Sequence, residues 1–152
     1  MRIPKKEEGQ GLVEYALLLV LVAIVIVVIL ALMGRAVTAV YAQVYAGLNG
    51  QAVDGSGTEY VVTGVNASAT GTGLCTVTVS GTVVVFEDGD LAEAGVGVSG
   101  AASWSGGSGG SVSGTTNSSG TASVGPASGP GNCSGQARIN VGGNTKTVSY
   151  GN

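Results

Sequence analysis

The stretch of sequence that decides the fold is residues 16–33, ALLLVLVAIVIVVILALM, an unbroken run of 18 apolar residues without Gly or Pro. An α-helix of this length is just long enough to cross the hydrocarbon core of a bilayer. Because backbone N–H and C=O groups find no water there, the segment is expected to be helical despite its many Val and Ile residues. The sequence therefore predicts a membrane-spanning helix near the N-terminus.

The charged residues on either side of this run predict its orientation. Arg2, Lys5 and Lys6 precede it, and positive residues are retained on the cytoplasmic side of a membrane. Arg35 follows the run and weakens the asymmetry slightly. The C-terminal part of the chain is therefore expected to face away from the cytoplasm.

Glu14 lies at the entrance of the apolar run. A secretory signal peptide has a shorter apolar core, ends in a small-residue cleavage site and carries no carboxylate at this place. An ionisable side chain at the edge of a membrane span costs free energy unless it finds a partner, so it indicates a functional position. The alternative is a glutamate that is simply hydrated among the lipid headgroups.

Residues 8–15, EGQGLVEY, followed by the apolar run, resemble the prepilin signature of the Flp (tight-adherence) branch of type IV pilins. In that family a membrane peptidase cuts after a Gly that lies five residues before a Glu-Tyr pair. Gly9, Glu14 and Tyr15 have this spacing, so the resemblance implies a leader of residues 1–9 and cleavage between Gly9 and Gln10. Cleavage after Gly11 is the alternative, and it would leave Glu14 third rather than fifth in the mature chain.

The same resemblance implies how the mature chain assembles. In the family, the glutamate carboxylate of an incoming subunit pairs with the N-terminal amine of its neighbour, which sets the axial register of the filament. A buried charge is penalised when it is unpaired, and this explains why the family retains it. Glu14 and Tyr15 are therefore the expected assembly residues.

The helix is expected to continue beyond Gly34, because apolar residues recur at steps of three and four until Asn49-Gly50, a typical helix stop. The residues of this stripe are Val37, Val40, Tyr41, Val44, Tyr45 and Leu48. The predicted helix region therefore covers residues 10–49. We expect the stripe to pack against the C-terminal domain, and a contact between subunits is the alternative.

From residue 51 onward the sequence is rich in Gly, Ser, Thr and Val, and short alternating runs predict about seven β-strands. The predicted strands are Tyr60–Val65, Cys75–Phe86, Val96–Trp104, Ser111–Thr116, Thr121–Val124, Ala137–Val141 and Thr145–Tyr150. Residues 50–58 are predicted to be a linker and residues 59–152 a small β-sandwich. The predicted fold class is thus α+β, with a long transmembrane or filament-core helix followed by a C-terminal sandwich.

Residues 74–150 resemble the immunoglobulin-like or prealbumin-like modules of bacterial surface proteins. The resemblance rests on a turn rich in Asp and Gly at residues 87–95 and on a T-x-x-x-G-x-A hairpin from Thr116 to Ala122. The acidic residues of the first turn do not have the spacing of an EF-hand loop, which favours a solvated turn over a calcium site.

Cys75 and Cys133 are the only cysteines. In a chain exported from the cytoplasm, two cysteines more often form a disulfide than a metal or redox site. Trp104 is expected in the core, with carbohydrate stacking as the alternative. Three asparagines lie in N-glycosylation sequons, which chance also explains in so Ser-rich a chain: Asn66, Asn117 and Asn132.

Composition argues against several classes of function. Histidine is absent, and after Gly34 only Arg35, Arg138 and Lys146 are basic. Acid–base, nucleophilic and zinc chemistry lack their usual side chains, so we expect no enzyme, cofactor or metal. A chain with so few basic residues has no surface for nucleic acid.

The pilin resemblance implies a precursor held in the cytoplasmic membrane, cut by prepilin peptidase and polymerised with other copies by a pilus assembly machinery. The product would be an extracellular pilus used for adhesion or surface attachment, with this chain as its major subunit. A minor pilin or a single-pass, membrane-anchored adhesin is the alternative. The C-terminal domain is a departure, because Flp-like pilins usually contain little more than the helix.

Overall fold

The computed structural model describes residues 10–151. The predicted leader, including Gly9, lies outside the described residues. The chain divides into two compact units, one ending at Val37 and one beginning at Thr38. The first helix, α1, covers Gln10–Leu48, and its last turns belong to the second unit.

A long apolar helix followed by a small antiparallel β domain was predicted from the sequence, and the structure confirms this α+β arrangement. The eight strands, referred to together as the β domain, are β1 (Thr58–Thr70), β2 (Cys75–Glu87), β3 (Asp90–Leu91), β4 (Gly97–Trp104), β5 (Gly110–Thr115), β6 (Thr121–Gly131), β7 (Gly135–Val141) and β8 (Asn144–Tyr150). In the first sheet β2 pairs with β1 on one side and with both β3 and β6 on the other. The second sheet has the order β5-β4-β7-β8.

The two sheets share one hydrophobic core. It contains Val77 and Val79 of the first sheet and Ile139 of the second, all fully buried. Trp104 also lies in this core, only 6% exposed, and its indole N–H donates to the carbonyl of Pro130 at 3.0 Å. The prediction that Trp104 is a core residue is confirmed, so its ring is not available for carbohydrate stacking.

A second, smaller core lies on the outer face of the first sheet. Ala42 and Ala46 of α1 pack there against Val61, Phe86 and their neighbours. Because α1 packs on this outer face, both faces of the sheet are covered there. Four consecutive side chains of β2 are therefore buried, in the sequence Val83-Val84-Val85-Phe86. Successive side chains of a strand point to opposite faces, so Val83 and Val85 enter the core between the sheets while Val84 and Phe86 face the helix.

Two sequence-based strand boundaries were wrong. Strand β1 continues beyond the predicted end at Val65 to Thr70, and β6 continues beyond Val124 to Gly131. The run after Val124 contains Gly125, Pro126 and Pro130, which normally indicate a loop. This run nevertheless remains paired with β2 as far as Gly131. The pairing register shifts between Val79 and Gly81 of β2, opposite the Gly125–Pro126 peptide bond of β6, which is cis.

Two hairpin turns follow from their residue types. Asp88 and Gly89 form the loop between β2 and β3, with φ of 51° and 85°. A two-residue loop with positive φ at both positions is the type I′ turn that Asp-Gly favours. The second turn was also predicted: Gly120 N–H donates to the carbonyl of Asn117 at 3.0 Å, and the side chain of Asn117 accepts the N–H groups of Ser119 and Thr121.

Candidate assembly surface

The first unit presents an apolar helix surface. All residues from Gly11 to Gly34 are exposed, and no part of the most apolar 18-residue window is buried. Its mean hydropathy is 3.6, and by length and composition α1 is long enough to cross a membrane. Soluble monomeric proteins rarely expose an apolar surface of this extent to water. It needs lipid or other apolar helices around it.

Glu14 is the only charged residue between Gly11 and Gly34. The structure places it in the second turn of α1, four residues after Gln10, with Tyr15 next to it, and both side chains are exposed. At about 1.5 Å per residue, Glu14 lies roughly 6 Å along the helix axis from its first residue. Residues four apart lie on the same side of a helix, so Glu14 is within side-chain reach of the helix start.

Hydrogen bonds fix the end of α1 to the edge strand β1. The hydroxyl of Tyr45 donates to the carbonyl of Thr63 at 3.0 Å, and Lys146 Nζ donates to the same oxygen at 2.8 Å. The ammonium group of Lys146 also lies 4.5 Å from the centre of the Tyr45 ring, a cation–π geometry. Two side chains, one from α1 and one from β8, therefore meet at one backbone carbonyl of β1.

The predicted linker is also bonded to β1. The amide of Gln51, which is 7% exposed, accepts the Val62 N–H at 2.7 Å and donates to the Val62 carbonyl at 3.0 Å. Asn144 Nδ2 donates to the carbonyl of Tyr60 at 2.7 Å. An edge strand is a template for pairing with another chain unless it is blocked. These side chains occupy the edge of β1 from Tyr60 to Thr63, so another chain is not free to pair there.

The apolar stripe of the helix does not form the contact that we expected from the sequence. Only Tyr45 is half-buried, whereas the exposed fractions of Val40, Tyr41, Val44 and Leu48 are 59%, 73%, 55% and 82%. The prediction that the stripe packs against the C-terminal domain was therefore wrong apart from Tyr45.

The packing face consists of alanines instead. Ala42 and Ala46 are 5% and 1% exposed, and Ala39 packs beside them. Small side chains let the helix backbone approach the sheet closely, and this leaves the larger residues pointing away. The spacing of Ala39, Ala42 and Ala46 is the sequence signal that could have identified this face.

An open groove lies where α1 meets the first sheet. It has a volume of about 470 Å³ and an almost entirely apolar accessible surface. The residues that line this helix-end groove are Tyr41, Ala42, Val44, Tyr45, Leu48, Thr63 and Val84. All of them belong to the second unit.

The predicted disulfide is confirmed. Cys75 and Cys133 are bonded, with their Cα atoms 5.0 Å apart. Cys75 begins β2, and Cys133 lies in the turn between β6 and β7. The bridge therefore fixes the end of the β domain at which β1 turns into β2, through the loop of residues 71–74, here called the Leu74 loop.

The other candidate sites lie at the surface. Asn66, Asn117 and Asn132 are all exposed. Asp88 Oδ1 accepts the N–H of Gly57 at 3.0 Å, so the acidic turn has a structural role. Within residues 10–151, no three His, Cys, Asp or Glu side chains are grouped so that they could hold a metal ion. Hydrogen bonds from the hydroxyl and N–H of Ser56 lower the pKa of Asp54.

Comparison of the chain with protein-family models, with curated proteins and with solved structures finds no match.

Proposed function

We propose that this chain is the structural subunit of an extracellular pilus of the type IV class, similar to the Flp branch. It is held in the cytoplasmic membrane before assembly, cut by prepilin peptidase between Gly9 and Gln10, and polymerised by the pilus assembly machinery. In the filament, α1 belongs to an apolar core and the β domain forms the outer surface. Adhesion or surface attachment is the resulting role.

The observation that carries the proposal is the uncovered apolar helix with one carboxylate near its start. A simple membrane anchor needs only apolar residues, and a charge at its edge adds cost. A filament of such helices excludes water from its core, as a bilayer does. The apolar surface of α1 therefore faces lipid before assembly and neighbouring helices in the filament. Glu14 then has a function that an anchor does not require.

Removal of the leader supplies the partner for Glu14. Cleavage after Gly9 creates an α-amino group on Gln10, and the carboxylate of an adjacent subunit, placed in register, neutralises it. A buried charge without a partner costs several kcal/mol, so the pairing selects one axial register between neighbours. The pairing requires that Gln10 keeps its open-chain amine, because cyclisation to a lactam would remove the positive charge.

The disulfide and the β domain fit an exported protein. Disulfides persist in oxidising compartments outside the cytoplasm, and Cys75–Cys133 is placed beyond the apolar helix in sequence. The orientation expected from Arg2, Lys5 and Lys6 puts the β domain on that side of the membrane.

A membrane-anchored binding module, or a minor pilin that initiates or tips a filament, is the second candidate. The observation in its favour is the β domain itself, which has a hydrophobic core and a disulfide of its own and shares a second core with the end of α1. The two candidates differ in copy number. A major subunit dominates the mass of the filament, whereas a minor pilin is a trace component and an anchored module stays with the cell.

The test is the substitution Glu14→Gln, which keeps the size of the side chain and removes its charge. We expect the variant to insert in the membrane at the normal level and to yield few filaments, counted by electron microscopy of sheared material. Glu87→Gln makes the same chemical change at an exposed position of the β domain and should leave the filaments unchanged. Abundant Glu14→Gln filaments with normal symmetry would contradict the assembly role.

A further inference from the structure

One apolar side chain of the β domain is left in solvent. Among the described residues from 49 to 151, Leu74 is the only large apolar residue that is exposed, at 82%. The other large apolar residues of this range are buried or half-buried. A single exposed leucine is common at protein surfaces, so the significance of Leu74 depends on how it is held and on what could receive it.

The chain holds Leu74 firmly in place. The next residue, Cys75, is 2% exposed, begins β2 and is bonded to Cys133. On the other side, β1 remains paired with β2 as far as Thr70, which lies opposite Thr76. A side chain presented on so constrained a loop loses little conformational entropy when it docks.

The helix-end groove is the apolar recess that such a side chain fits. Its lining contains the exposed side chains of Val44 and Leu48 and the buried side chain of Val84. Leu74 cannot reach the groove of its own chain. Thr63 lies at the groove and Thr70 directly precedes the Leu74 loop, and these two residues are seven positions apart on β1. At about 3.3 Å per residue, this separation is roughly 23 Å.

We propose that Leu74 of one copy docks into the helix-end groove of a neighbouring copy. This inference rests on the proposed function, and it names a contact between the outer domains of adjacent subunits. In the proposed filament each subunit is related to the next by the same rotation and translation, so this contact between two different parts of the chain is heterologous. A heterologous contact that does not close into a ring propagates into an open helical polymer.

The size of the contact selects a second copy as the occupant. One leucine buries far less than the roughly 800 Å² per partner that a stable complex between free proteins needs. This contact alone would therefore not hold two free copies together in solution. Copies that are already held side by side by their apolar helices meet at high effective concentration, and for them a small contact is sufficient.

The charges around the contact are compatible with this docking. Residues 70–74, TGTGL, carry no charge. The ammonium group of Lys146 lies near the groove, but it is directed to the Thr63 carbonyl and the face of Tyr45. Docking of Leu74 therefore buries no unpaired charge.

Site-specific photocrosslinking tests the contact directly. A benzophenone amino acid replaces Leu74 in the full chain, and cells and sheared filaments are irradiated. We expect a crosslinked dimer in which the label is attached to the peptide with residues 41–48 of a second copy. Labels attached to lipid, or to surfaces outside the groove, would overturn the docking.

Substitution gives an independent readout. Leu74→Asp should lower the filament yield about tenfold or more, because a carboxylate would enter an apolar groove. Thr72→Asp introduces the same charge on the same loop, at an exposed position, and should leave the yield unchanged. Adding Val44→Lys to Leu74→Asp should restore filaments by supplying an opposite charge. A normal yield from Leu74→Asp would overturn the docking.

The outcomes separate the two proposals. If the unmodified chain forms filaments in which Leu74 crosslinks outside the groove, the docking is wrong and the subunit function stands. If the unmodified chain forms no filaments, the proposed function is wrong, and the docking is overturned with it.

Discussion

Removal of the Cys75–Cys133 disulfide should strongly destabilise the β domain. The bridge joins residues 58 apart, and in the chain-entropy model closing a loop of that length is worth about 4 kcal/mol. A single domain is typically stable by only about 5–15 kcal/mol, so this contribution is a large part of the total. For a domain of this size, the loss corresponds to a decrease in Tm of about 15 °C.

The assay is thermal unfolding of the full chain in detergent, followed by near-UV circular dichroism of Trp104. The double variant Cys75→Ala/Cys133→Ala is compared with the unmodified chain, with and without a reductant. The reductant should lower the Tm of the unmodified chain and leave the double variant unchanged. A double variant that unfolds within about 3 °C of the unmodified chain would refute the reasoning, because it would mean that the bridge contributes under ~1 kcal/mol.

Two further substitutions test the packing of the helix end, both measured as changes in denaturant midpoint. Ala46→Leu should destabilise the second unit by about 1–3 kcal/mol, because Ala46 is 1% exposed and the larger side chain has no room. Its control is Gln43→Leu, on the exposed side of the helix, which should have little effect on the stability. Gln51→Ala should cost about 2–4 kcal/mol, because it leaves the N–H and C=O of fully buried Val62 without their partner. A cost under ~0.5 kcal/mol for either change would contradict the contacts described.

The sequence predicted the elements well where local pattern determines structure. The apolar run 16–33 identified α1, and all seven predicted strands begin within two residues of observed ones, because apolar and polar residues alternate over short stretches. The pairing of Cys75 with Cys133 followed from the cysteine count together with the expected export of the chain. The helix and the strands depend on residues that are close in sequence. Two cysteines allow only one intramolecular disulfide.

Features that depend on tertiary contacts were missed. Which face of α1 packs against the sheet depends on how closely the backbones approach, and alanine spacing decided it over the larger Val and Tyr stripe. The continuation of β6 through Pro126 depends on a register shift against its partner strand, where two residues of β6 lie opposite one of β2. The helix-end groove is formed by residues from α1, β1 and β2, and no local pattern indicates it.

The most direct test of the account is the intact mass of the dominant protein in filaments sheared from the native cells. We expect that this chain dominates and that its mass is that of residues 10–152 with the disulfide formed and an uncyclised Gln10. A chain that remains with the cells and keeps Met1, or that is only a trace component of the filaments, would contradict it.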